Sequence, residues 1–391
     1  MSDPSSSWQV QRAGYPIFEQ RVYLASQCLG PFPRQAQRDL EQYRTSRLLH
    51  NRALEHWFER IQLTTGLIER LLSAPAGSVA LRDSATACHA AVIAAIEPHD
   101  EVRRLIVTEL DFHSSLHLFC AQARRGFELV VVRSRDGCGI HPDDVVAEID
   151  ERTAAVAVSM VSRYGALLEL EGICARAREV GAPTLVDAYQ AVGIVPIDVG
   201  ALGVDALIGG NHKWLSGDTG LAFLYMAPAL ADRLEPAYPG WFGHEDTGDF
   251  VHAHTFVDAY RPMPGARRFQ QGTPGMPAIY SARAGLELAL DIGVERMRAR
   301  NLELTARTIA GANALGFRVR TPSAPEQHAG GVCIEVPNPE RVVALLAERG
   351  IDVDQRRREV VRAAPHPCNT ESEVDHFLAN LADIVHRLRE Q

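Results

Sequence analysis

The sequence predicts an α/β fold: a mostly parallel sheet with helices on both faces, followed by a smaller C-terminal α+β domain. Three observations predict it. Short apolar runs alternate with amphipathic stretches through the middle of the chain, as in proteins that wind helices around a parallel sheet. The runs are rich in Val, Ile and Leu on both faces, which suits strands covered on both sides. Helical spacing takes over past about residue 275. Strands are expected at 105–108, 129–132, 155–159, 184–186, 206–208 and 221–225, and helices between them at 84–96, 142–149 and 168–180. Ile279, Ala282, Leu286 and Ala289 recur at helical spacing and predict a long helix. A second helix is expected at 295–315, ended by Gly316. Short strands at 332–336 and 360–363 and helices at 339–349 and 371–389 complete the smaller domain. A chain of 391 residues exceeds one ordinary core. The division expected is an N-terminal segment at 1–50 packing near the small domain, a large domain at 51–275 and a small one at 276–391.

Composition narrows the class. Hydrophobic content of 46% and charged content of 23% are ordinary for a globular protein. The net charge of −9 argues against nucleic acid as the main partner. No apolar stretch approaches the ~18 residues that cross a bilayer, so no membrane partner is expected. The N-terminus lacks a basic start followed by an apolar run, so no secretory signal is read. Seven scattered cysteines without C-x-x-C fit reduced thiols in a cytoplasm and argue against a zinc site. His252 and His254 read as loop residues and not ligands.

One residue stands apart. Of 40 Lys+Arg, a single one is lysine, Lys213 in the stretch GGNHKWLSGD, which leaves 39 arginines. Arginine replaces lysine wherever only positive charge is needed, but its guanidinium stays protonated and is no nucleophile. A desolvated lysine amine can lose its proton and form an imine with a carbonyl. Lys213 follows the strand ALIGG and lies beyond its carboxyl end, where open α/β sheets bind ligands. Asp187 ends the preceding strand, in TLVDAYQ. An Asp to keep a pyridine nitrogen protonated and a Lys to engage an aldehyde together suit pyridoxal 5′-phosphate. Ser84, Ala85 and Thr86 open a helix, whose free N–H groups make an anion site for the phosphate. Phe112, just beyond a strand, can stack on a planar ring. There is no G-x-x-x-x-G-K-[ST] and no G-x-G-x-x-G, so nucleotide motifs do not compete.

These residues resemble the fold-type I pyridoxal-phosphate enzymes of the class V aminotransferase group. D-A-Y-Q (187–190) and N-H-K (211–213) are similar to that group's Asp-x-x-Gln and Ser/Asn-His-Lys elements. The resemblance implies that Gln190 bonds the cofactor's ring hydroxyl and that His212 contacts its phosphate. The chain is most similar to the kynureninase-like branch, through YLASQCLGPFP (23–33), PGWFGHE (239–245), FQQGTPG (269–275) and VRAAPHPCNTESEVDHF (361–377). This implies a homodimer in which Thr273, and Trp241 with it, reach the neighbour's cofactor. It makes Arg362 the clamp for a substrate α-carboxylate, a planar fork that also suits bidentate pairing, and places Gln27 and Ser115 on the substrate side. The sequence departs from kynureninases at four positions: Ser115 stands for Asp, Gln190 for His, His212 for Tyr and Gln27 for Asn. What is implied is chemistry on an L-α-amino acid, foremost side-chain lyase chemistry at Cβ: C–S β-elimination or kynureninase-type hydrolysis, in a specialised biosynthetic pathway. Transamination, decarboxylation-linked deamination of an S-conjugated cysteine and epimerisation stay open, as does, remotely, an inactive binding protein. A desulfurase would need a mobile cysteine, for which Cys333 and Cys368 qualify by location alone.

Overall fold

The computed structural model describes residues 4–49, 53–247, 259–356 and 358–390; His252 and His254 lie outside them. Seven strands form the central sheet: β1 (Val79–Arg82), β2 (Arg104–Thr108), β3 (Glu128–Val132), β4 (Thr153–Ser159), β5 (Thr184–Asp187), β6 (Ala206–Gly210) and β7 (Ala222–Met226). Their order is β1-β7-β6-β5-β4-β2-β3. Pairs from β3 through β6 are parallel, and β7 runs antiparallel to both β6 and β1. The mostly parallel sheet expected from the sequence is therefore present, with strand ends displaced by one or two residues. The first strand, β1, escaped the sequence reading because four residues carry no period.

Alternate residues of one strand enter opposite cores. Val156 and Val158 of β4 join one apolar cluster, with helices Ala53–Leu71, Glu171–Glu179 and Met276–Ile292. Ala155 and Ala157 join the other, with helices Ala85–Ala94 and His113–Ala121. A period of two, both halves apolar, means a sheet buried on both faces.

A three-stranded antiparallel sheet of β8 (Val332–Glu335), β9 (Asp354–Arg356) and β10 (Val360–Ala363) follows, in the order β9-β10-β8. Helices Val294–Ala314, Pro339–Glu348 and Glu371–Arg389 bury their apolar stripes against it. The last starts with a capping box between Thr370 and Glu373. The N-terminal residues meet both parts. Val22–Tyr23 pairs in parallel with Ile351–Asp352, and Arg12 forks onto Glu373 at 2.8 and 3.0 Å. Helix Arg34–Leu49 instead presents the fully buried Asp39 to Arg283 of helix Met276–Ile292, at 2.6 and 2.9 Å.

Candidate active site

Lys213 follows β6 in a tight turn held from two sides. The Gly30 N–H donates to the His212 carbonyl (2.7 Å), and the Ser216 N–H to the Lys213 carbonyl (3.0 Å). The backbone at Gly30 comes so close that a Cβ there would lie 1.9 Å from the Lys213 carbonyl oxygen. On the other side, a Cβ at Gly285 would lie 1.6 Å from the Leu215 carbonyl oxygen. Both neighbours are backbone, so only glycine fits.

Asp187 pairs with Ile208 in the sheet register, so Asp187 and Lys213 emerge at the same sheet edge. No salt bridge joins them among the described residues. Oδ1 of Asp187 accepts from the Tyr189 N–H at 2.9 Å, and Oδ2 lies 3.4 Å from His89 Nε2. Burial works against the ionised carboxyl, but His89, the Tyr189 N–H and Lys213 together hold it below its usual range. Burial brings the Lys213 amine down to about 8, with Arg362 and Arg356 adding to the effect and Asp187 opposing it. A neutral amine is thereby within reach near neutral pH.

Two aromatic rings flank the amine. The Tyr189 centroid is 4.7 Å from Lys213 Nζ, and that of Phe112 is 5.9 Å. Phe112 opens helix His113–Ala121 as its N-cap residue, with the buried Ser115 in the first turn. Asp111 beside it accepts from the N–H groups of Thr108 and Ser159, fixing this turn to the ends of β2 and β4. His212 turns its Nδ1 to the Tyr189 hydroxyl at 3.0 Å, and burial lowers its pKa to about 4, so the ring is neutral. Ser84 caps helix Ala85–Ala94 by accepting the Ala87 N–H, with Ala85 and Thr86 in the first turn. His89 lies four residues past Ala85, one turn along the same helical face. The same helix thus offers an anion-binding end and the partner of Asp187.

Gln27, Gln190, Trp214 and Arg362 line a narrow cleft beside the lysine. Gln190 donates to the Gln27 carbonyl at 3.0 Å. Arg362 is buried, and its Nε and Nη2 grip the carboxylate of Asp354, the former at 2.6 Å. Trp241 and Thr273 lie on neighbouring stretches: the Phe242 N–H donates to the Gln271 carbonyl at 2.9 Å. Trp241 packs its ring against Phe58 and Phe242, while Thr273 is exposed. Cys333 and Cys368 are buried, which raises their thiols to about 11 and 12, a setting opposite to that of a mobile nucleophile. Cys28, in the loop that crosses the lysine turn, is exposed instead.

The sequence reading missed four residues here. Tyr189 stood inside the quoted D-A-Y-Q and could have been weighed as a ring neighbour. His89, Asp354 and Arg356 carried no local signal. Among the described residues no cluster of His, Cys, Asp and Glu could hold a metal ion, and no helix is long and apolar enough to cross a membrane.

The donor set fits pyridoxal phosphate. A desolvated amine, an ionised buried carboxylate on the same edge, flanking rings and a helix N-terminus are the groups its aldehyde, ring nitrogen, ring face and phosphate require. Two buried polar atoms without partners lie on residues of the cleft lining as well: Trp214 Nε1 and Gln27 Nε2. Buried polar groups ordinarily find partners, so unpaired atoms on such a lining fit a polar ligand.

The comparisons agree in class. The family profile described as Aminotransferase class-V matches residues 41–377. An uncharacterized aminotransferase, YcbU, of Bacillus subtilis (strain 168) is 28% identical over 369 residues, covering 94% of this chain and 95% of that protein. A kynureninase of Deinococcus radiodurans is 28% identical over 396 residues, covering 97% and 93%. An apo cysteine desulfurase from Thermococcus onnurineus NA1 superposes with a TM-score of 0.85 at 23% identity, covering 99% of each chain. The cystine C-S lyase C-DES, in complex with its product cysteine persulfide, superposes at 0.84 with 22% identity, covering 94% and 99%. At such identities the superpositions show the fold.

Proposed function

This chain belongs to the aminotransferase class-V family, and from that premise we propose that it is a pyridoxal-phosphate enzyme cleaving the side chain of an L-α-amino acid at Cβ, foremost by β-elimination from an S-substituted cysteine. The observation that carries the reading is the only lysine of the chain, buried at the sheet edge it shares with Asp187. When bound, the cofactor supplies an aldehyde and an electron-withdrawing ring. Asp187, kept ionised, holds the ring nitrogen's proton. Lys213 would take the proton from Cα and return it later, because its proton affinity sits near the working pH. Ser84, Ala85 and Thr86 anchor the phosphate, and Phe112 with Tyr189 confines the ring. Arg362, oriented by Asp354, presents its remaining Nη1 to the substrate carboxylate. A kynureninase is among the similar proteins, and a cystine C-S lyase shares the fold. The departures at Ser115, Gln190 and His212 support elimination over hydrolysis, since those side chains replace ionisable groups of kynureninases with different chemistry.

The test supplies the purified protein and pyridoxal phosphate with an S-alkyl-L-cysteine and, in parallel, with L-kynurenine, and identifies products by mass spectrometry. Pyruvate and thiol from the first are expected. Alanine and anthranilate from the second, with the first untouched, would instead assign hydrolysis. Lys213→Ala should lose the absorbance the cofactor gains on binding, together with at least ~10³ of the turnover; a variant as active as the parent sinks the reading.

A further inference from the structure

Strand β9 carries Asp354 and Arg356 on one face, two residues apart. In the antiparallel register Asp354 faces Arg362 and Arg356 faces Val360. The bidentate contact therefore takes up Asp354 on Arg362. It leaves Arg356 half-buried, with no hydrogen bond or ion pair from its guanidinium to another described residue. Arg356 is a partly desolvated cation whose opposing charge, Asp354, is already engaged by Arg362. Arg356 shares a face of β9 with Asp354, which holds Arg362 in the cleft beside Lys213, so both guanidinium groups belong to the same site. Arg362 is pinned by Asp354, and the rungs that carry Asp354 and Arg356 are about 7 Å apart along the strand. The two guanidinium groups therefore start from different rungs of the sheet.

We propose that Arg356 is a second anion subsite, and that the substrate is an L-amino acid whose side chain itself ends in an acid. The proposal rests on the amino-acid reading of the Lys213 site. The α-carboxylate takes the remaining edge of Arg362, and the side-chain acid pairs with Arg356 on the next rung. Arg356 is then a specificity-determining residue.

The pair of probes is S-carboxymethyl-L-cysteine and its neutral near-isostere, S-carbamoylmethyl-L-cysteine. Calorimetric titration of the full-length, cofactor-free chain reads affinity without turnover, and the loaded enzyme supplies KM and kcat. The parent should prefer the acid at least tenfold, the scale of a hydrogen bond to a charged group. Arg356→Gln should bring the ratio below about two through the acid's Kd and KM, and Arg356→Lys should restore part of it. No preference in the parent, a measurement that needs no variant, overturns the proposal, as does an equal loss for both probes in Arg356→Gln. Should the loaded parent cleave either probe without preferring the acid, this subsite alone falls. Should the cofactor fail to bind while the acid preference stands, it is the enzymatic reading that falls.

Discussion

At the residue scale the site depends on what burial does to one amine. Desolvation, then Arg362 and Arg356, bring Lys213 down from an ordinary 10.5 to about 8. The folded chain therefore binds this proton less tightly than the unfolded chain. Between about 8 and 10.5 the unfolded state holds more protons, so stability must rise with pH across that window. Below it both states are protonated and the folded state carries the full penalty of a buried charge. Lys213→Met removes that penalty. In the cofactor-free protein this variant should melt at least ~2 °C above the parent at pH 7, and the gap should close as the pH approaches 10.5. Melting curves of both proteins at several pH values decide it; a constant gap would show that the amine is not desolvated. Asp187 behaves oppositely. Three favourable neighbours outweigh its burial, which keeps its charge available to a ring nitrogen throughout the working range.

Among elements, the lysine turn is clamped between the loop at Gly30 and helix Met276–Ile292. Helical periodicity announced this helix, and Ile279, Ala282, Leu286 and Ala289 are all buried on its inner face. Periodicity says nothing of Gly285, which lies on that helix where Leu215 touches it. Gly285→Ala places a methyl against a carbonyl that cannot step aside, so helix and turn must separate. A loss of about 1–3 kcal/mol is expected, with a smaller fraction of the protein capturing pyridoxal phosphate. Thermal melting combined with cofactor absorbance checks both; a variant that melts like the parent shows the turn to be adjustable.

For the whole molecule, the N-terminal residues bind the parts together. Arg12 reaches Glu373, the Val22–Tyr23 strand joins Ile351–Asp352, and Asp39 anchors Arg283. Trp241 and Thr273 lie on a paired stretch, joined by the Phe242–Gln271 hydrogen bond, and Thr273 is exposed in the single chain. We propose a homodimer in which this stretch completes the neighbour's site. Sedimentation should give twice 42.9 kDa, and a fully active monomer would refute it.

Residue identity and short periods wrote much of this protein into its sequence. The solitary lysine, the carboxylate ending a strand, the alternation of strand and helix and the exact limits of helix Glu371–Arg389 are all local facts. They are legible because chemistry attaches to residue type and secondary structure to spacings of two and 3.6. His89 reaching Asp187 across 98 positions of sequence, Asp354 occupying Arg362, Arg356 left without an ion pair of its own and Gly285 bearing on Leu215 are not. Each depends on which faces pack and on the register in which strands meet. Burial of one apolar face against another sets these over long separations, and no short stretch of sequence contains them.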